Sequence, residues 1–293
     1  MGRPPIIAAV RPLLSGTTAG LAQGQRAVFA AMGTDVSYAD EGDIGNFRGR
    51  ESFVDLESSG SIVRTVIQFS NQGVFVVTIF IPTTGPNDWR RFLADPEKQW
   101  KRGYSAMATA LSWEAANGLP PDISKLLGES VELLLAIPEH KVALPGGSRE
   151  SQCDVFALVR VGNESMAIAV EAKVNEPFGP TVSEWMMNAS KGKIERMGFI
   201  CDLLGLSAPP PGNLRYQLLH RTAAAVLEAN RFRTDRAGMI VQSFSQEHRW
   251  IEDFQAFAEL FELKIDPGQA QTSILPSGIP LTLGWAVGSA TFL

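Results

Sequence analysis

Asp154, Glu171 and Lys173 are the side chains whose types and spacing suggest chemistry. Asp154 precedes the apolar run Val155-Phe156-Ala157-Leu158-Val159, and Glu171-Ala172-Lys173 closes the run Ala167-Ile168-Ala169-Val170. Their β-branched and apolar content predicts two buried strands, over Cys153–Val161 and Met166–Val174. Strand side chains alternate between faces, so Glu171 and Lys173 share one face and Ala172 takes the other. Val161-Gly162-Asn163-Glu164 has the composition of a hairpin turn. Asp154 lies as many steps before Val161 as Glu171 lies after Glu164, so a hairpin about this turn brings the two acids level.

Two carboxylates held together repel, and burying them is costly unless a cation lies between them. Mg²⁺ (or Mn²⁺) fills that role with oxygen ligands and retained waters. A lysine ammonium does not ligate metal. It can hold or deprotonate a water, or neutralise charge developing on a phosphate. The bland alternative is that strand-end acids sit in solvent and that Glu-x-Lys is a surface ion pair worth little. A third acid is expected from a helix predicted over Asp122–Leu135, which carries Glu129 and Glu132. Glu132 is the preferred site member, because a carboxylate in the apolar run Val131–Leu135 either reaches solvent or faces a cation.

The elements around this hairpin alternate in type. A strand is expected at Val74–Ile81, a helix from near Trp89 and another over Tyr104–Asn117. A short strand at His140–Leu144 precedes the turn Pro145-Gly146-Gly147-Ser148. Helices are expected over Thr181–Ala189, Lys191–Leu204 and Asn213–Arg231, then a strand at Met239–Phe244. A helix over Trp250–Glu262 follows, with Phe254, Phe257 and Phe261 as core, and a last strand at Leu281–Val287. This order predicts an α/β fold, a mixed central sheet flanked by helices. Residues 1–73 yield only a short helix at Gln23–Met32 and a strand at Ser61–Phe69, with no apolar core between Asp35 and Gly60. They read as a poorly defined N-terminal extension before a domain spanning 74–293.

Composition bounds the function. With 45% hydrophobic and 19% charged residues, the 293-residue chain is no disordered segment, and a net charge of −5 argues against a generally basic coat for nucleic acid. The apolar run Val74–Pro82 is about half the length of a membrane span. The start of the chain makes a poor signal peptide. Two cysteines without metal spacing read as reduced thiols, which suggests a cytoplasmic protein. Every lysine, tryptophan, histidine and cysteine lies beyond residue 88, as if the first 73 residues were an accessory segment or a start site assigned too far upstream.

The pattern Glu132, Asp154, Glu171-Ala172-Lys173 and a following helix resembles the core of the PD-(D/E)XK nuclease superfamily. Ile81–Pro86, Pro138–Val142, Glu176–Val182 and Arg215–Thr222 resemble one bacterial family of unassigned role placed in it. The resemblance covers about residues 74–293. The superfamily's own motif is short and degenerate, and Cys153 stands where its proline is usual. The resemblance implies a restriction-endonuclease-like core and Mg²⁺- or Mn²⁺-dependent hydrolysis of phosphodiesters in nucleic acid, DNA ahead of RNA. It implies Asp154 and Glu171 as metal ligands, Lys173 serving the attacking water, and Glu132 assisting. Gln217 and Arg221, four apart on one helix face, are implied as polar residues at the site or the nucleic-acid backbone.

Other readings remain. Cys153 faces away from Asp154 on an alternating strand, which argues against a nucleophilic thiol. His220 has no serine or cysteine motif beside it. Between Lys173 and Arg236, basic residues outnumber acidic ones by three, enough for a local phosphate-tracking groove or for scattered surface charge. The rivals to a nuclease are a non-catalytic interaction or scaffold protein that retains the fold, and a hydrolase of a small phosphorylated substrate.

Overall fold

A computed structural model describes residues 35–36, 51–58, 61–70, 73–76, 83–128 and 130–293. The chain divides into two compact units, 1–82 and 83–293. The first holds a four-stranded antiparallel sheet ordered β1 (Asp35–Val36), β2 (Glu51–Ser58), β3 (Ser61–Ser70), β4 (Gly73–Val76). β3 matches the expected strand. Because β4 pairs with β3, the apolar run that opens at Val74 starts inside the first unit, and the division falls at 82 rather than 73. The rest of that run, and the helix expected at Gln23–Met32, lie outside the described residues.

The second unit is built on a six-stranded mixed sheet, flanked by helices, in the order β11-β12-β10-β9-β8-β5. These strands are β5 (Val131–Pro138), β8 (Val155–Val161), β9 (Glu164–Lys173), β10 (Arg236–Ser243), β11 (Ala270–Ile274) and β12 (Pro280–Val287). β5, β8 and β9 form an antiparallel meander, β10 lies parallel to both β9 and β12, and β11 closes one edge antiparallel. Central strands buried on both faces need continuous apolar runs rather than alternation. Residues 155–159 and 166–173 meet that need, with every residue buried. The edge strand β11 was not expected, because Ala270-Gln271-Thr272-Ser273-Ile274 has no apolar alternation; pairing with β12 alone makes it a strand.

Four short helical elements precede the meander. They are a 3-10 helix at Pro86–Phe92, α1 (Pro96–Gln99), α2 (Ser105–Ala116) and α3 (Pro121–Leu127). Trp89 is buried and its indole donates to Glu114 at 2.6 Å, which pins the first of these to α2. The helix expected over Asp122–Leu135 is corrected. It stops at Leu127, Gly128 takes φ 103°, Ser130 takes φ 67°, and β5 begins at Val131. The leucine-rich run suits a helix by propensity, but its pairing with β8 along the whole strand overrides that preference.

The crossover from β9 to β10 contains α4 (Val182–Met186), α5 (Lys191–Leu204) and α6 (Tyr216–Phe232). α6 packs on β9 and β10, and Ala223, Ala224 and Ala225 are among its buried residues. On the remaining helix, α7 (Ile251–Ala258), Phe254 and Phe257 are core residues, as is Phe261 in the 3-10 turn that follows.

A small hairpin, β6 (Lys141–Val142) with β7 (Ser151–Gln152), branches from the end of β5. Its loop is locked against α5. A Cβ at Gly146 would meet the Gly192 carbonyl at 2.1 Å, and the buried Arg196 guanidinium donates to the carbonyls of Leu144, Pro145 and Gly147. That clamp fixes the strand carrying Ser151 and Gln152. No helix among the described residues is long and apolar enough to cross a membrane.

Candidate active site

The β8–β9 hairpin sets the site. Its register runs from Val161↔Glu164 to Val155↔Val170, so the next position places Asp154 opposite Glu171. Ala172 N donates to Asp154 Oδ2 at 2.6 Å, which holds one acid against the neighbouring strand. Glu171 and Lys173 share the opposite face from Ala172, and both are buried. Lys173 Nζ donates to Glu171 Oε1 and, at 3.2 Å, to the Ala172 carbonyl, with its charge 5.0 Å from the centre of the Phe178 ring.

α6 brings two more donors. Gln217 Nε2 reaches Glu171 Oε1 at 2.8 Å and Arg221 Nε reaches Glu171 Oε2 at 2.7 Å. Their four-residue spacing puts them on one helix face, as expected. Arg221 is buried rather than solvated, and its Nη1 also donates to Ser151 Oγ at 3.1 Å. Ser151 Oγ lies 2.8 Å from His220 Nδ1, and the His220 ring tilts against Tyr216 at 4.8 Å. Burial, then the charges of Arg221 and Arg196, push the His220 imidazole well below its usual range, so it stays neutral.

The third acid is Glu139, not Glu132. Glu132 is on β5 directly across from Arg160, pairs with it at 3.5 Å in an exposed position, and is not brought to the site. Six positions separate it from Pro138 at the far end of the strand, about 20 Å of extended chain. Glu129 lies outside the described residues. Glu139 follows that far end with φ 52°, donates its backbone N–H to the Asp154 carbonyl at 2.9 Å, and accepts from Gln152 Nε2 at 2.7 Å. Reading Val131–Pro138 as a strand would have exposed it, because Glu139 ends an apolar run just as Glu171 does.

The three carboxyls are not equivalent. Burial would raise Glu171, but Lys173 and Arg221 outweigh it and hold it below the usual carboxylate range. Asp154 is pushed up to about 7, by burial first and then by the Glu171 charge. Glu139 is pushed up to about 8, by burial and then by Asp154. Three acids face the two cations Lys173 and Arg221, so one negative charge is left over, and it falls on the Glu139–Asp154 pair. Each of these two has one oxygen bonded by protein, and among the described residues neither accepts a further side-chain or backbone donor at the other.

This donor set fits a hard divalent cation. Mg²⁺ is commonly held by one or two carboxylates and several waters, and the excess charge and unused oxygens of Asp154 and Glu139 suit it. Glu171 would join only by exchanging Arg221 or Lys173. Among the described residues, no group of three or more His, Cys, Asp or Glu side chains stands in metal-binding arrangement.

Glu139, Gln152, Asp154, Glu171, Lys173, Gln217, His220 and Arg221 line a pocket of about 590 Å³, together with residues from 93–106 and from 176–180, two segments joined where Ser105 N donates to Glu176 Oε1 at 2.8 Å. Of the nine basic residues between Lys173 and Arg236, only Lys173 and Arg221 line it. Several others are engaged elsewhere: Arg196 with loop carbonyls, Arg215 with Asp253, and Arg236 with Glu164. Arg196, Arg215 and Arg236 are therefore not available to a basic groove beside the pocket. Cys153 is buried, its Sγ directed to the His140 carbonyl at 3.6 Å, and burial pushes the thiol far up. It is not poised as a nucleophile.

Residues 82–290, more than half of the chain, match a family described as Domain of unknown function (DUF6946). No curated protein and no solved structure matches the chain.

Proposed function

We propose that this chain, which belongs to the DUF6946 family, is a divalent-metal-dependent nuclease acting at the pocket of Asp154, Glu171 and Lys173. The observation that carries this reading is the convergence of a strand-start aspartate, a Glu-x-Lys strand end and a polar helix face on one pocket. The order of α3, the meander β5-β8-β9, the crossover helices and parallel β10 supports a restriction-endonuclease-like core. DNA is the expected substrate ahead of RNA.

In the reaction a water oxygen bonds to phosphorus, the ester P–O bond breaks, and the departing oxygen takes up a proton. Lys173 Nζ holds the attacking water and offsets the charge that grows on the phosphoryl oxygens. Glu139, with one carboxylate oxygen engaged by Gln152, accepts the water's proton at the other. Arg221 and Gln217 keep Glu171 ionised and fixed, and Glu171 in turn fixes Lys173. Asp154 would hold a Mg²⁺ or Mn²⁺, which would supply Lewis-acid polarisation of the phosphate. The free, buried cysteines Cys153 and Cys201 support a reducing, cytoplasmic setting.

The non-catalytic scaffold reading expects Lys173 to be far from the two carboxylates, locked in an unrelated ion pair, or in a sealed site, whereas Lys173 and Glu171 line the pocket. The partner of Lys173 here is Glu171, within the site itself. A second reading, a hydrolase of small phosphorylated compounds, is favoured by the sparse basic rim, where Lys98 is paired with Asp95 at 2.8 Å.

The deciding experiment is a cleavage screen with single- and double-stranded DNA and RNA in Mg²⁺ or Mn²⁺. Wild type is expected to cut, and Asp154→Ala and Lys173→Ala to lose about a hundredfold or more. Wild type that cuts nothing, and binds no Mn²⁺ by calorimetry, would overturn the reading.

A further inference from the structure

We infer that the pocket takes one nucleotide of a single-stranded chain, its base laid on Tyr104, and does not take a continuous duplex. The inference rests on the nuclease reading above and names its substrate class.

The reacting groups are at the floor. The side chains of Lys173 and Glu171 are 5% and 3% exposed. A volume of about 590 Å³ lies within the usual range for small-molecule sites, enough for a nucleotide unit. A duplex carries its phosphates on a broad convex surface, which does not bring a scissile phosphate down to side chains buried this deeply. Enzymes with recessed centres meet this limit by acting on single strands or on extruded nucleotides.

The aromatic lining points to one stacking surface. Phe178 is fully buried, with Lys173 over its face and Trp285 edge-on at 6.4 Å. Tyr216 stacks on Trp185 at 3.8 Å and meets His220 at 4.8 Å, so both neighbours already occupy it. Tyr104 is different: it lines the pocket, is 45% exposed and has no ring partner among the described residues. Lys101 Nζ lies over its ring, 5.9 Å from the centre, so a base would take the other face. Aromatic stacking accepts any base and carries much of single-strand affinity.

The test uses the full-length protein with Ca²⁺ in place of Mg²⁺, and fluorescein-labelled oligonucleotides of one sequence, single-stranded or in blunt duplex, read by anisotropy. The single strand is expected to bind the tighter. Tyr104→Ala is expected to weaken it by roughly five- to hundredfold, Tyr104→Phe to restore it, and duplex binding to stay unchanged. With Mg²⁺, Tyr104→Ala should raise KM and leave kcat in place, a split that a folding defect would not produce. Equal binding and Asp154-dependent cutting of the duplex would overturn this inference and leave the nuclease reading standing. An unaffected Tyr104→Ala would also overturn it. A protein that binds and cuts no oligonucleotide, whether or not it hydrolyses a mononucleotide, would overturn both.

Discussion

Arg221 Nε donates to Glu171 Oε2 at 2.7 Å, joining α6 to the end of β9 across 50 residues of sequence. Both groups are buried. The contact makes Glu171 the settled acid of the site, ionised and matched by protein cations. The unmatched charge is displaced onto Glu139 and Asp154, which are the groups left able to exchange a proton for a metal.

Removing Arg221 strands that carboxylate beside Lys173 alone. Arg221→Met is expected to destabilise the protein by about 3–5 kcal/mol in urea denaturation. The double variant with Glu171→Gln should recover part of the loss, because the buried charge then goes with its partner. A single variant within about 0.5 kcal/mol of wild type would contradict the geometry.

The raised carboxyls give stability a defined pH slope in metal-free protein. Glu139 and Asp154 bind a proton more tightly folded, at about 8 and about 7, than at their ordinary values of 4.5 and 3.8. Between those limits the folded state holds more protons than the unfolded, so stability falls as pH rises. Glu171 has the opposite sign, and its contribution is lost only as pH falls below the ordinary carboxylate range. His220, held neutral, opposes this up to its ordinary value of 6.5, so denaturation in EDTA should show stability declining toward about pH 8 most clearly above that value, with a flatter decline in Glu139→Gln.

Metal should take the place of that proton. Calorimetry with Mn²⁺ near neutral pH is expected to show binding with proton release, seen as an enthalpy that changes with buffer. Asp154→Asn should abolish both. Binding of equal strength in that variant would place the ion elsewhere.

Glu132 and Glu139 make a paired test of which acid serves the site. Glu132→Ala breaks an exposed pair with Arg160 and is expected to cost under about 1 kcal/mol and leave any cleavage unchanged. Glu139→Ala should lower cleavage by about a hundredfold or more. The reverse result would restore Glu132 to the site.

Gln217→Ala removes a neutral donor from an oxygen that Lys173 still bonds. A modest loss of about 1 kcal/mol in stability is expected, with thermal denaturation as the check.

The hairpin was legible because strand geometry has a period of two and a turn counts residues: Asp154, Glu171 and Lys173 needed only local spacing to be placed together. The face shared by Gln217 and Arg221 was legible in the same way, from helical period. Glu139 was not, because the run Val131–Pro138 is apolar without alternation, and such a run reads equally as helix or buried strand. Only pairing with β8 makes it a strand, and pairing is a long-range contact that no local pattern contains. The fate of charges was hidden for the same reason. Whether Arg221 is solvated or clamps Glu171, and which acids keep the excess charge, depends on burial and on neighbours that α6 and β9 bring together only when packed.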